Sequence, residues 1–139
     1  MPTVNIAMST DSVSTAPILN RTELQERMLG STEMAAKMLN KFLESASTDC
    51  DLLESSVRMG DKAAVAFLAH RHRGTAETLA THRVAELARQ MEHRAASDPT
   101  SELLDMVQQM RRLHQEVRDV VGQEFSGNLL EQASAEPKY

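Results

Sequence analysis

Cysteine occurs once, as Cys50, and tryptophan is absent. A single thiol makes no internal disulfide, so the sequence points to a reducing compartment and a fold closed by packing alone. Aromatic residues are only 3% of the 139, which leaves the core to Leu, Val, Ala and nine Met. That composition favours helices over strands. The longest unbroken apolar run, Ala63 to Ala69, is far short of the roughly 20 residues of a membrane span. No charged start leads into an apolar segment, so no signal peptide is expected and the location expected is cytoplasmic. The five glycines are scattered singly, which excludes a Gly-x-x-x-x-Gly-Lys phosphate cradle. A net charge of −5 argues against general nucleic-acid binding.

The charge that is present is unevenly placed. Between Lys62 and Arg94, six Lys and Arg face three Glu, and this segment holds four of the five histidines. Such a basic stretch in an acidic chain suits an acidic partner or an anionic group, or is simply a solvated face.

Periodicity divides the chain into helices. Residues 1–19, rich in Ser and Thr with Pro2 and Pro17, read as a flexible leader. Thr22 is spaced to Gln25 as a capping box for a short helix that Gly30 closes. A long helix follows from about Thr32 to Val57, with its stripe on Ala35, Met38, Leu39, Phe42, Ala46 and Leu53. Asp61 caps the next helix, and Thr81 the one after, whose apolar face is Val84, Leu87, Ala88, Met91 and Ala95. Asp98-Pro99 then opens a last helix carrying Leu103, Met106, Val107, Met110, Leu113, Val117, Val121 and Phe125. Beyond Ser126-Gly127 the pattern fades, so residues 20–126 read as one helical domain and 127–139 as a flexible or loosely helical tail. Short connections between amphipathic helices imply antiparallel neighbours in a bundle.

The helix from Asp61 to about Leu79 organises the rest. At about 100° per residue, Leu68, Ala69, His72, Ala76 and Leu79 fall within roughly 60° of Val65. His70 lies on the other side, with Ala63, Ala66, Phe67, Gly74 and Glu77. The two histidines therefore part company: His72 is a hydrogen-bonded core residue and His70 faces solvent. They stand about 200° apart and cannot chelate one ion together. Gly74 costs the helix roughly 1 kcal/mol relative to alanine, yet the stripe runs on past it. Its place one turn after His70 suggests clearance above the imidazole. An exposed imidazole, Arg73 at i+3 and a bare backbone at i+4 suit a histidine that receives a bulky anion.

His70-Arg71-His72-Arg73-Gly74-Thr75-Ala76, then Leu79-Ala80, then Leu87-Ala88-Arg89-Gln90-Met91-Glu92, resembles the histidine-containing phosphotransfer (HPt) domain. The family's usual pattern is Ala-His-x-Leu-Lys-Gly-x-Ala, Leu-Gly and Leu-x-x-x-Leu-Glu; Phe42-Leu43 and Gly60-Asp61 also fall where it often has Phe-Leu and Gly-Asp. Three positions depart from the pattern: His72 replaces Leu, Arg73 replaces Lys and Ala80 replaces Gly. The resemblance implies an all-α fold, an antiparallel four-helix bundle with a short additional N-terminal helix. It implies a histidine phosphotransfer protein that acts as a phosphoryl carrier with little activity of its own.

In that role His70 is the phosphoacceptor, Arg73 supports the phosphoryl oxygens and Gly74 gives access. Ala63, Ala66, Phe67, Arg71 and Glu77 form the docking face. The implied partners are receiver domains of a hybrid sensor kinase and of a response regulator, which meet a monomer; Mg²⁺ is expected on the receiver and no cofactor on this chain. Two other readings stay open: a phosphorylation-independent interaction module and a metal-binding bundle. The second lacks both a His-x-x-x-His and a Glu-x-x-His pair.

Overall fold

The computed structural model describes residues 16–135, with side chains as far as residue 123. Five helices follow one another: α1 (Arg21–Arg27), α2 (Thr32–Arg58), α3 (Lys62–Thr78), α4 (His82–Arg94) and α5 (Thr100–Ala135). Among the described residues there is no strand, and no helix is long and apolar enough to cross a membrane. The leader up to residue 15 and the side chain of Phe125 lie outside the described residues.

Side-chain oxygens start three of the helices, as sequence leads one to expect for Ser, Asp and Asn. Asn20 Oδ1 accepts from the Glu23 amide at 3.1 Å, Ser31 Oγ from Met34 at 3.0 Å and Asp61 Oδ1 from Ala64 at 3.1 Å. Asn20, and not Thr22, therefore caps α1. Its own amide donates to the Ala80 carbonyl at 3.0 Å, which ties the start of α1 to the end of α3 and outweighs the local capping box. Ile18 and Leu19 are already buried, so the helical domain begins two residues earlier than the leader reading has it.

Thr81 precedes α4 but does not cap it. Its hydroxyl turns back to donate to the Ala76 carbonyl at 2.9 Å. Likewise Pro99, and not Asp98, lies at the start of α5: the Pro99 carbonyl accepts the Glu102 and Leu103 amides at 3.1 Å. At the other end α5 runs through Gly127 to Ala135, so no break in the backbone separates domain from tail.

Three helices end on the same device, in which two amides beyond the last turn reach back to carbonyls within it. At the end of α3 the Ala80 amide bonds Glu77 at 3.1 Å and Thr81 bonds Ala76 at 2.9 Å. This geometry needs a left-handed residue. Gly60 supplies it after α2, but Leu29 (φ 53°) and Ala80 (φ 59°) adopt it after α1 and α3. Leu29 thus closes α1, with Gly30 one place later.

The core runs the length of the helices, from Leu24, Leu39 and Leu53 through Val65, Leu79 and Val84 to Met91, Met110 and Val117. α3 packs on α4 and α2 on α5, with α2–α3 and α4–α5 contacts between them, and α1 touches α2. Buried alanines, Ala69 and Ala76 on α3 with Ala85 and Ala88 on α4, let helix axes approach closely. That approach brings an α4 carboxylate within reach of α3's exposed side.

Candidate functional site

The exposed side of α3 carries every residue the helical phase assigns to it. Ala63, Phe67, His70, Arg71, Gly74 and Glu77 are exposed and Ala66 is half-buried. Phe67 is the largest of them, 64% exposed, with the Arg71 guanidinium 5.7 Å from its ring centre. A Cβ built on Gly74 meets nothing within 4 Å. The space above His70 is open, and the glycine is not required by packing.

His70 is not a free imidazole. Its Nδ1 lies 2.9 Å from Glu92 Oε2 on α4. An ionised carboxylate only accepts, so Nδ1 carries the proton and Nε2 keeps its lone pair. Arg73 sits beside the same carboxylate, its Nη1 3.5 Å from Glu92 Oε1. That oxygen is buried and accepts no hydrogen bond, so the contact with Arg73 is ionic.

Behind this face lies a polar chain inside the core. His72 is buried, with Nδ1 3.5 Å from Asp49 Oδ2. Its Nε2 is 2.8 Å from His114 Nε2, and His114 Nδ1 is 3.5 Å from Cys50 Sγ. Phe42 stacks on His72 with ring centres 5.3 Å apart and meets His114 edge-on at 5.7 Å. Burial pushes His114 down to about 3 and the Cys50 thiol up to about 11. The hydrogen bond from His72 holds the Asp49 carboxyl below its usual value despite partial burial.

Among the described residues, no group of three or more His, Cys, Asp or Glu is arranged to hold a metal ion. The buried side chains form a line and do not converge on a point.

The family model of the Hpt domain matches residues 37–121, well over half the chain. The chain belongs to the Hpt domain family. No curated protein and no solved structure matches it significantly. Hpt domains carry out histidine phosphotransfer in two-component phosphorelays and interact with receiver domains of kinases and regulators. The match spans α3 and α4 whole, so His70 and Glu92 both lie within it.

Within this Hpt domain, two kinds of residue escaped the reading of the sequence. Glu92 stands in the quoted motif, but nothing in α4's own periodicity says that its carboxylate turns to His70. His114 sits on the apolar stripe of α5 between Met110 and Val117, and that position was the available signal. Asp49 and Cys50 are joined to it only by tertiary packing.

Proposed function

We propose that His70 accepts a phosphoryl group from the aspartyl phosphate of one receiver domain and passes it to an aspartate of another. The Hpt match and the hydrogen bond from His70 to Glu92 support this reading, and the second carries the chemistry. Nε2, with its lone pair free, attacks phosphorus in line. The N–P bond forms as the bond to the aspartate oxygen breaks, and the aspartate leaves as a carboxylate. Nδ1 keeps its proton, so positive charge builds on the ring, next to Glu92. Return to the second aspartate reverses these steps.

Arg73 stabilises the phosphoryl oxygens with a charge-assisted contact. Ala63, Ala66, Phe67, Arg71, Gly74 and Glu77 are the surface that the receivers of a hybrid sensor kinase and of a response regulator cover. The receiver holds Mg²⁺ and supplies most of the transition-state stabilisation, because phosphoryl transfer is chiefly positioning and electrostatics. This chain works as a cytoplasmic monomer, with α2–α5 as an antiparallel four-helix bundle. Short loops between α2, α3, α4 and α5 favour that arrangement.

The test is incubation with each phosphorylated receiver of the source organism. Rapid labelling that survives in the native protein and vanishes in His70→Gln is expected. Labelling that persists in His70→Gln overturns the assignment, and docking without any labelling would favour a phosphorylation-independent module.

A further inference from the structure

The buried chain runs from Cys50 to the rim of the docking face. Cys50 and Asp49 come from α2, His72 from α3 and His114 from α5. Asp49 is shared: His72 Nδ1 lies at 3.5 Å and Arg71 Nη2 at 3.9 Å. Arg71 is over half exposed; Asp49 faces it at the edge of ion-pair distance, and its guanidinium also lies over the Phe67 ring. One carboxylate thus joins the interior of the molecule to an exposed cation adjacent in sequence to His70.

With both imidazoles neutral, one proton arrangement satisfies every atom. His72 Nδ1–H donates to Asp49, His114 Nε2–H donates to His72 Nε2, and the Cys50 thiol donates to His114 Nδ1. One more proton fits without moving a heavy atom. It enters at His114 Nδ1, which then donates to Cys50 Sγ, while the former Nε2 proton passes to His72. His72 becomes an imidazolium donating to both Asp49 and His114, and His114 ends neutral in its other tautomer.

The surroundings decide where that charge rests. His72 faces Asp49 on α2. His114 is opposed in taking a charge first by burial, then by the other imidazole and by the guanidinium groups of Arg118 and Arg111 on its own helix, against which Asp49 is a smaller favourable influence; the Cys50 thiol lies at its Nδ1. α4 buries only apolar side chains.

We propose that the His72–His114 pair is a proton-responsive switch behind the docking face: taking up one proton, it sets an imidazolium on His72 against Asp49 and releases Arg71 to an acidic residue of the partner. The released cation strengthens docking as pH falls. By linkage, a partner that draws Arg71 away from Asp49 raises the proton affinity of the pair. The consequence for docking rests on the phosphotransfer reading; the switch itself does not.

The experiment is a titration of the full-length, ¹⁵N-labelled His70→Gln protein from pH 8 to pH 5, following imidazole and arginine nitrogens by NMR. At pH 8, His72 should be the Nδ1–H tautomer and His114 the Nε2–H tautomer. As pH falls, His72 should gain a second proton, His114 should change tautomer while staying neutral, and the Arg71 signals should move with the same midpoint. Asp49→Asn should lower that midpoint, since it removes the carboxylate that faces His72. A His72 that stays neutral to pH 5, a His114 that charges first, or Arg71 signals indifferent to His72 would each overturn the proposal. His70→Gln carries no phosphoryl acceptor, so failure of the switch and failure of phosphotransfer are read separately.

Discussion

Glu92 on α4 holds the Nδ1 edge of His70 at 2.9 Å, and its second oxygen faces Arg73 at 3.5 Å. One carboxylate thereby fixes the tautomer of the proposed acceptor and sits where charge develops during attack. Glu92→Ala should raise the barrier to phosphotransfer by about 1–3 kcal/mol, the range of a hydrogen bond to a charged group. That corresponds to roughly fivefold to 150-fold slower transfer. Glu92→Gln retains an acceptor oxygen without the charge and should fall between. Transfer rates measured beside the imidazole ¹⁵N shifts check this. A wild-type rate in Glu92→Ala would remove Glu92 from the mechanism.

His72 stands where the family pattern has Leu, and from the apolar stripe alone a leucine there would look harmless. The contacts reverse that expectation. His72→Leu removes the acceptor for His114 Nε2 and the donor to Asp49. Leaving a buried polar group unpaired costs about 1–3 kcal/mol. His72→Leu should therefore lower the melting temperature, and adding His114→Leu should recover part of the loss, because an apolar pair leaves no orphan. If the single variant is as stable as the native chain, the histidine pair holds nothing together.

The limits of the sequence follow from the same residues. Helical phase separated His70 from His72 because burial of a helix face depends on a local period, and the long amphipathic stripes of α2 and α5 were legible for the same reason. The starts of α1 and α4 depart from the sequence expectation because Asn20 and Thr81 answer to distant or competing carbonyls, those of Ala80 and Ala76. The Glu92–His70 bond spans 22 residues and the Cys50–His114 contact 64. No local period encodes such pairs; they exist only once the helices have packed.

Acid should destabilise this fold, and the sign follows from two groups. His114 is held at about 3 in the fold against 6.5 ordinarily. The unfolded chain then binds more protons between those values, so stability present above about 6.5 is lost as pH falls toward 3. Asp49, lowered from 3.8, contributes stability above that value that disappears as pH drops through its folded value. Cys50, raised from 9.0 to about 11, does the opposite, with stability lost as pH rises across that interval. Melting temperature against pH should therefore peak near neutrality. His114→Gln keeps hydrogen-bonding capacity without titrating, and should flatten the decline between pH 6.5 and 4; an unchanged slope would refute the role of His114.

Two non-glycine residues in left-handed conformation should respond differently to glycine. Relief of the strain is worth roughly 1–2 kcal/mol, against about 0.4–1 kcal/mol for the freer unfolded chain. Leu29 is 95% exposed, so Leu29→Gly gives up almost no burial and should stabilise by up to about 1 kcal/mol. Ala80 is fully buried, and loss of its methyl group removes about 0.8 kcal/mol more. Ala80→Gly should thus be nearly neutral, even though the family usually has Gly there. Chemical denaturation of the two variants decides the matter, and a large gain in Ala80→Gly with none in Leu29→Gly would contradict it.

Gly74 separates stability from access. Its backbone is ordinary helix, and a Cβ there meets nothing within 4 Å. Gly74→Ala should therefore stabilise by up to about 1 kcal/mol, since alanine is the better helix former and restricts the unfolded chain. Gly74→Gln is a comparable helix former but carries a long side chain one turn beyond His70, on the same side. If a receiver must approach His70 closely, Gln should slow phosphotransfer far more than Ala while melting at a similar temperature. Paired melts and transfer rates for Gly, Ala and Gln make the comparison. Normal transfer in Gly74→Gln would show that clearance above His70 is not what the glycine provides, and a destabilised Gly74→Ala would point to a packing constraint that the open space around its Cβ position argues against.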